Sequence, residues 1–308
     1  MTAKVILNPY AGRWLALKRK AEIVSALDEA GVDFELVSTE KPGDGTKLSA
    51  NAVKAGFNPI IAAGGDGSIS EVVNGIMQAL TSGEEVSPVF LGVMPLGSAN
   101  DFVDNLHLPK DLGEAAKVIS TGKYRTIDLG HVITRGNGQE RYFDNNAAIG
   151  LEPFITLIQQ RITRIHGTIR YLLATLIGIL NNPRWSMHLT WQGGEYHGPV
   201  TLVTVGNCPR TGGLFYMTPH ADPYDRKLTF VYGFMSTRLQ ILKLLPRTMR
   251  SSSGSYVEHP DIHEIHSDWL KVTLDNPTPA HADGEIIAAS ISEIEYRVIP
   301  DKLHVLLP

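Results

Sequence analysis

The sequence has a single cysteine, Cys208, among its 308 residues. It therefore lacks a disulfide framework and a thiolate zinc module, and such cysteine usage is typical of a reducing compartment. It also lacks a basic excess: 28 Lys and Arg stand against 32 Asp and Glu, a net charge of −4 that argues against a nucleic-acid binder. Long hydrophobic runs are missing too, since the most apolar stretch, 171–180, has about half of the ~20 residues that span a bilayer. We expect a cytoplasmic protein without a transmembrane helix.

The first third of the chain alternates short apolar runs with helical patterns. The predicted strands are 4–7, 32–37, 60–63 and 89–94, and the predicted helices are 15–30, 46–55 and 68–80. Strands that alternate with helices of about 12 residues indicate a parallel sheet with helices on both faces, which is a doubly wound α/β domain. Ligands of such sheets bind at the carboxyl ends of the strands.

Beyond residue 123 the pattern changes to β-like runs separated by turn residues. These runs are 125–133, 141–148, 187–191, 200–205, 228–232 and 270–274, and one helical block, 153–180, interrupts them. The pattern predicts an α/β domain over 1–124 and an antiparallel β domain over 125–308. Two further strands, 293–298 and 303–307, fit either domain, so the last one is free to return to the first domain.

The strongest motif is Gly-Gly-Asp-Gly-Ser at 64–68, directly after the third predicted strand. Glycines let the backbone approach an anion, and a helix that starts there offers unpaired N–H groups and the positive end of its dipole. Asp66 would repel a phosphate unless it meets a magnesium ion, or its waters, beside the phosphates. The alternative is an ordinary tight turn. Ser68 and Glu71 also fit an S-x-x-E capping box, a sufficient structural reason for both.

Two similar turns follow neighbouring strands. The stretch 95–101 reads Pro-Leu-Gly-Ser-Ala-Asn-Asp, and 8–12 reads Asn-Pro-Tyr-Ala-Gly. Each is weak alone, but three such turns at the strand ends of one predicted sheet are a specific indication of a triphosphate site. The chain has no G-x-x-x-x-G-K-[ST] motif and no H-R-D or D-F-G motif, which excludes P-loop NTPases and protein kinases. Ser70 replaces the third glycine of a dinucleotide fingerprint.

These motifs, together with Asp-Gly-Glu at 283–285, resemble the diacylglycerol kinase catalytic-domain family, which includes bacterial stand-alone lipid kinases and the sphingosine and ceramide kinases. The resemblance runs from about Ala3 to past Glu285, in the family's motif order. It implies an α/β nucleotide-binding domain followed by a β-sandwich lipid-binding domain. It also implies an ATP-dependent kinase acting on a hydroxyl of diacylglycerol or a related lipid.

The same resemblance implies the site residues. Those assigned to ATP and its magnesium are Asn8, Thr39, Gly64, Gly65, Asp66, Gly67, Ser68, Ile69, Ser70, Ser98, Asn100 and Asp101. Asp66 and Asp101 would organise the catalytic Mg²⁺ through its water shell. Asp283 and Glu285 would serve the acceptor hydroxyl as the general base and its partner, in either order. Without the resemblance, 283–285 is typical of a polar hairpin turn.

Many bacterial members of this family also hold a structural metal in the β domain. Here the Asp225 carboxylate and the carbonyls of Asp222 and Lys227 would bind Mg²⁺ through oxygen ligands. Arg226 stands where the family usually has glycine, so an ordinary Asp-rich turn is the alternative.

Two segments, 153–194 and 226–257, contain basic residues and no acidic ones. The second includes Lys243, Arg247 and Arg250, which mix with apolar residues as in an interfacial helix and attract anionic headgroups by about 1 kcal/mol each. We expect these segments to bring the β domain to the membrane surface that carries the lipid substrate. A solvated helix rim is the alternative.

Two other functions stay open at this point. A NAD kinase shares the Gly-Gly-Asp-Gly loop, although the motifs at 95–101 and 283–285 argue against it. A non-catalytic lipid-binding or regulatory protein on the same fold is the second, although every catalytic carboxylate that the resemblance implies is present. The identity of the lipid and the oligomeric state, a homodimer included, do not follow from the sequence.

Overall fold

The computed structural model describes residues 2–82, 87–135, 138–162, 165, 167–181 and 184–308. The chain divides into two compact units. The first comprises Met1–Leu129 and Pro300–Pro308, and the second comprises Gly130–Ile299.

The helices are α1 (Ala11–Lys18), α2 (Lys20–Glu29), α3 (Asp44–Lys54), α4 (Asp66–Thr81), α5 (Asp101–Asn105), α6 (Leu112–Thr121), α7 (Leu151–Arg161), α8 (Gly167–Asn181) and α9 (Arg238–Leu244), with 3₁₀ turns at Leu245–Met249 and Tyr256–Glu258. The strands are β1 (Ala3–Leu7), β2 (Phe34–Ser38), β3 (Ile60–Gly64), β4 (Phe90–Pro95), β5 (Tyr124–Thr134), β6 (Glu140–Phe143), β7 (Asn146–Gly150), β8 (Trp185–Trp191), β9 (Gly194–Val200), β10 (Leu202–Gly206), β11 (Arg210–Thr211), β12 (Phe215–Tyr216), β13 (Leu228–Gly233), β14 (Ile262–Ser267), β15 (Trp269–Ala282) and β16 (Glu285–Leu306). Within the described residues, no helix is both long and apolar enough to cross a lipid bilayer.

The first unit is built on a parallel sheet with the strand order β4-β3-β1-β2. Val5 and Leu7 of β1 pack in one cluster with Ile23 and Leu27 of α2. Successive strand residues point to opposite faces, so the equally buried Ile6 faces the other side of the sheet. The predicted mixed α/β domain with parallel strands is therefore confirmed. The carboxyl ends of its strands lie at one edge.

One predicted helix of this unit is wrong in its bounds. The single helix expected over 15–30 is two helices that meet at Arg19. The Arg19 guanidinium donates two hydrogen bonds to the Glu22 carboxylate, at 2.7 and 2.6 Å. The apolar spacing continues through the break, so periodicity does not reveal it. The chain also enters α1 in left-handed backbone at Gly12, Arg13 and Trp14, with φ values of 57°, 60° and 69°.

The second unit is an antiparallel, β-sandwich-like domain, as the fold class predicted. Its strands follow the order β14-β13-β10-β7-β15-β16, and β8 and β9 continue from the first half of β15. Buried strand residues of this unit, including Phe143 of β6, Phe230 of β13 and Tyr296 of β16, share one core with Ile155 of α7 and Ile179 of α8. The strand expected over 141–148 is divided into β6 and β7.

Candidate active site

Three glycine turns meet at the carboxyl edge of the parallel sheet. A Cβ atom placed on Gly97 would lie 2.6 Å from the Cα of Gly65, and one placed on Gly12 would lie 2.8 Å from the carbonyl oxygen of Leu96. Both separations are shorter than a real Cβ contact, and the opposing atoms are backbone. The turns after β1, β3 and β4 therefore touch through their backbones, which only glycine permits at these positions.

Two asparagine side chains hold these turns in place. Asn8 donates from Nδ2 to Ser68 Oγ at 2.9 Å and accepts from the Tyr10 N–H at 3.0 Å, so it connects the first turn to the second. Asn100 braces the third turn by accepting from the Gly97 N–H at 3.0 Å and donating to the Gly97 carbonyl at 3.1 Å. These two predicted contacts of a nucleotide thus also order the loops.

Asp66 links the second turn to the third. It is the first residue of α4, and its Oδ1 accepts a hydrogen bond from the backbone N–H of Phe102 in α5 at 3.1 Å. Burial raises the pKa of Asp66, because backbone hydrogen bonds replace only part of the hydration that the ionised carboxylate loses. A cation beside this carboxylate would offset that cost.

The donor atoms at this edge fit magnesium. Asp101, which is 4% exposed, begins α5 one residue before the Phe102 N–H that binds Asp66. Proteins usually bind Mg²⁺ through one or two carboxylates together with substrate phosphates and water, and two carboxylates are what this edge offers. A complete protein cage is not present in the described ranges, where no three His, Cys, Asp or Glu side chains cluster as metal ligands.

The capping box expected from Ser68 and Glu71 is wrong. Ser68 contacts Asn8, and the side chain of Glu71 reaches α3 instead, where its two oxygens accept from the N–H groups of Gly43 at 2.8 Å and Gly45 at 2.9 Å. Glu71 therefore satisfies unpaired donors at the start of a different helix. The tertiary contact outweighs the local one.

The remaining predicted nucleotide contacts differ in exposure. Thr39 follows β2 at the same edge, and its N–H binds the Leu7 carbonyl at 2.9 Å. Ser98 is exposed on the third turn. Ile69 and Ser70 are fully buried in α4, and their assignment to the nucleotide stays a prediction.

The backbone contact between the turns gives a first prediction. Replacing Gly97 by alanine is expected to lower the free energy of unfolding by about 1–3 kcal/mol, since overpacking forces a backbone shift, and to weaken ATP binding. Urea denaturation and calorimetric titration with Mg-ATP measure the two effects. The matched control is Gly113→Ala in α6, where the added Cβ would meet only the side-chain oxygen of Asp111 at 3.2 Å and alanine favours the helix by about 0.5–1 kcal/mol, so this variant should not lose stability. Equal unfolding free energies and equal ATP affinities in the two variants would contradict the backbone contact between Gly97 and Gly65.

In the second unit, Asp283 and Gly284 form the two-residue turn between β15 and β16. Their φ values are 47° and 77°, which is the geometry of a type I′ hairpin and explains the Asp-Gly pair. The Asp283 carboxylate accepts from three backbone N–H groups, those of Asp144 at 3.2 Å and of Asn145 and Asn146 at 3.1 Å each. This side chain thereby holds the turn that separates β6 from β7.

Glu285 is in a different situation. It is the first residue of β16 and is exposed. None of the hydrogen bonds found in the described part of the chain involves its carboxylate. The hairpin therefore carries one carboxylate occupied by backbone donors and one that is open to a ligand.

The predicted structural metal site lies in a turn stabilised by its own side chains. Asp222 Oδ1 accepts from the Tyr224 N–H at 3.0 Å, and Asp225 Oδ1 accepts from the Lys227 N–H at 2.9 Å. Arg226 takes the left-handed backbone, φ 61°, that glycine would adopt more readily. These bonds account for the Asp-rich turn, and binding of a metal there stays a prediction.

The second unit also contains an apolar pocket that the sequence did not identify. Helices α7, α8 and α9 and strands β10 and β13 contribute lining residues, and the cavity volume is about 90 Å³. Most lining side chains are apolar, but Glu152 is among them. Its Oε1 accepts from Asn146 Nδ2 at 2.9 Å and lies 3.2 Å from His281 Nε2. Sequence reasoning missed these three residues because their separation along the chain hides the cluster.

Comparison with known proteins also divides the chain near residue 130, although the second family match includes the C-terminal segment that packs with the first unit. The diacylglycerol kinase catalytic domain family matches residues 2–132, and the family described as YegS C-terminal NAD kinase beta sandwich-like domain matches residues 145–307. A relative from Chromohalobacter salexigens, named probable lipid kinase YegS-like, is 32% identical over 91% of this chain and 86% of its own length. A diacylglycerol kinase from Staphylococcus saprophyticus is 26% identical over 92% of this chain and 88% of its own length.

The fold is also shared with a solved structure. The alignment with a crystal structure of a diacylglycerol kinase from Bacillus anthracis covers 100% of this chain and 97% of that chain. The TM-score is 0.73 and the sequence identity is 20%. At that identity the likeness establishes the architecture alone.

Proposed function

This chain belongs to the lipid kinase family whose members join a diacylglycerol kinase catalytic domain to a YegS-type C-terminal domain, and on that premise we propose that it transfers the γ-phosphoryl group of ATP to a lipid hydroxyl. The observation that carries the proposal is the backbone contact among the three glycine turns at the sheet edge. Phosphoryl transfer passes through a loose transition state, so the protein mainly positions groups and neutralises charge.

In this proposal the turns bind the triphosphate through their backbone N–H groups. Asn8, Thr39 and Ser98 lie at the same edge and contribute polar side chains. Asp66 and Asp101 would hold Mg²⁺, which would offset the negative charge of the phosphates. The raised pKa of Asp66 supports this role, because a buried carboxylate binds a cation in place of lost water.

We propose that the hairpin at 283–285 serves the lipid hydroxyl that accepts the phosphoryl group. A general base must reach the proton that it removes. A carboxylate whose oxygens already accept several N–H bonds is less able to take up a proton. Asp283 has three such bonds, which favours Glu285 as the base and Asp283 as the partner that holds the hairpin. The apolar pocket of the second unit would take the hydrocarbon chains.

A kinase assay on a lipid mixture tests the function. The protein is incubated with radiolabelled ATP, Mg²⁺, a mixed lipid extract and NAD, and the products are separated by thin-layer chromatography. We expect label in a lipid, loss of that label on chelation with EDTA, and recovery with added Mg²⁺. Label in NADP would identify a NAD kinase, and label in neither product would contradict a kinase of either kind.

We further propose that the second unit contacts the bilayer through the outer side of α8. Ile169 is 68% exposed, Leu172 and Leu176 are each 43% exposed, and Leu180 is 49% exposed, at spacings that place them on one side of a helix. Other residues of α8, Thr175 and Ile179, line the apolar pocket. A bilayer is the occupant that suits this surface, because it also supplies the lipid and the surrounding segments carry no acidic residue.

The expected result for this surface is weaker membrane binding after Leu172→Glu with Leu176→Glu. Each CH₂ that no longer enters the interface removes about 0.8 kcal/mol, so sedimentation with anionic vesicles should fall at least about tenfold. The control is Leu17→Glu in α1, a leucine that is 47% exposed in the first unit. Unchanged sedimentation of the double variant would exclude this surface.

The basic residues near α9 do not contribute equally. Arg247 donates to the carbonyls of Gly254 and Ser255 at 3.0 and 2.7 Å, so it orders its own loop. Lys243 and Arg250 are exposed. In this proposal the latter two, and not Arg247, supply the attraction to anionic headgroups.

A further inference from the structure

Among the described residues that line the apolar pocket of the second unit, one side chain has a polar atom that its surroundings leave unsatisfied. Thr201 accepts from the Met235 N–H at 2.9 Å, Thr248 donates to the Leu245 carbonyl at 2.6 Å, and the Tyr256 hydroxyl donates to the Met217 carbonyl. Thr175 is also partnered. Glu152 Oε2 is buried and makes no hydrogen bond within the described residues.

Glu152 lines a pocket whose other side chains are mostly apolar. The other oxygen of the same carboxylate is occupied by Asn146 Nδ2, so the side chain is fixed in place. Tyr256 cannot supply the missing donor, because its only hydrogen is used on a carbonyl. A buried carboxylate oxygen without a donor is unfavourable, and a bound lipid with a suitable hydroxyl or amine would satisfy it.

The position of Glu152 connects the pocket to the acceptor hairpin. The side chain of Asn146 donates a hydrogen bond to Glu152. The backbone of Asn146 binds Asp283 twice: its N–H donates to Asp283 Oδ1 at 3.1 Å, and its carbonyl accepts from the Asp283 N–H at 2.7 Å. One residue therefore separates the unsatisfied oxygen from the hairpin. In the binding mode that this link suggests, a lipid whose polar end reaches 283–285 would bring its neighbouring polar group to Glu152.

We propose that Glu152 binds a second hydrogen-bond donor on the lipid, a hydroxyl or amine next to the acceptor hydroxyl, so that the pocket selects monoacylglycerols and long-chain amino alcohols over diacylglycerols. A diacylglycerol has one free hydroxyl, and when that group serves as acceptor it leaves Glu152 unsatisfied. An anionic phosphodiester beside this carboxylate is disfavoured by charge repulsion. The inference rests on the proposed function and makes its substrate class specific.

The test compares a monoacylglycerol, a sphingoid base and a diacylglycerol of equal chain length in mixed micelles. The wild type is expected to phosphorylate at least one of the two-donor lipids with a kcat/KM about 10- to 100-fold higher than the diacylglycerol, the range for one hydrogen bond to a charged group. Glu152→Gln keeps the size and an acceptor for Asn146 but turns an amide donor towards the lipid. It should reduce that ratio to about one.

The matched variant is Thr248→Val, which removes a pocket hydroxyl that is already satisfied and should leave the ratio as it is. A wild type without preference for a second donor, or an unchanged ratio in Glu152→Gln, would overturn the inference. Calorimetric binding of the same lipids without ATP separates it from the kinase proposal. Selective binding without phosphorylation would overturn only the kinase, and phosphorylation without selectivity would overturn only the role of Glu152. If Glu152→Gln does not fold, the wild-type ratio alone decides.

Discussion

Replacing Asp66 by asparagine is expected to lower kinase activity at least about 100-fold while making the folded protein more stable at neutral pH. Activity falls because a carboxylate placed for the nucleotide's Mg²⁺ is lost. Stability rises because burial disfavours the ionised carboxylate, whereas the amide oxygen still accepts the Phe102 N–H. The initial rate with Mg-ATP and thermal unfolding in EDTA measure the two effects.

The pH dependence of this difference has a defined sign. The pKa of Asp66 is raised in the folded state, so folding favours its protonated carboxyl. The contribution of this group to the free energy of unfolding is complete below the pKa that it has in the unfolded chain, and it is lost as the pH rises through its pKa in the folded protein. The stability advantage of the asparagine variant should therefore be present at pH 7 and disappear as the pH falls towards 4. Asp104→Asn in α5, which breaks the 2.6 Å pair with Lys110, should keep its activity. An active Asp66→Asn enzyme would exclude Asp66 from the magnesium site.

Alanine at Asp283 is expected to impair both folding and catalysis, whereas glutamine at Glu285 impairs catalysis alone. Asp283→Ala leaves three N–H groups of buried residues without their acceptor and should reduce the free energy of unfolding by about 2–4 kcal/mol. Glu285→Gln should change stability by less than about 0.5 kcal/mol and reduce kcat at least about 100-fold. Urea denaturation and kcat on the accepted lipid distinguish the two variants.

Asp283→Asn is the companion variant for this pair. Asparagine tolerates the positive φ of the turn and retains an oxygen for Asn145 and Asn146, so it should lose less stability than alanine. Wild-type kcat in Glu285→Gln would show that Glu285 is not the base. Wild-type stability in Asp283→Ala would show that the carboxylate does not hold the 144–146 turn.

The periodic part of the fold was accessible from the sequence. In the first unit, β1, β3 and β4 begin or end within a residue or two of their predicted bounds, because apolar runs between glycine turns leave few alternatives. Breaks were missed where a distant residue causes them. The run 141–148 looks continuous, and the carboxylate that binds the backbone between β6 and β7 belongs to Asp283, more than a hundred positions later in the chain.

The same distinction applies to the site. The three glycine turns are local motifs, so sequence placed them at one edge, and the structure brings them into backbone contact. The local spacing from Ser68 favours a role for Glu71 in its own helix, while its actual partners, Gly43 and Gly45, lie at the start of another helix. Glu152 had no motif at all. Glu152 is a candidate because it lines an apolar pocket and has a buried oxygen without a donor. Both properties depend on the tertiary structure and leave no pattern in the sequence.

The central claim is that the three glycine turns together bind a magnesium nucleotide. A crystal structure with Mg²⁺ and a non-hydrolysable ATP analogue tests it most directly. We predict phosphate oxygens within hydrogen-bond distance of backbone N–H groups in the turns at 8–12, 64–68 and 95–101, with the metal nearest to Asp66 and Asp101. A triphosphate bound away from these turns, or a metal that approaches neither carboxylate, would contradict the account.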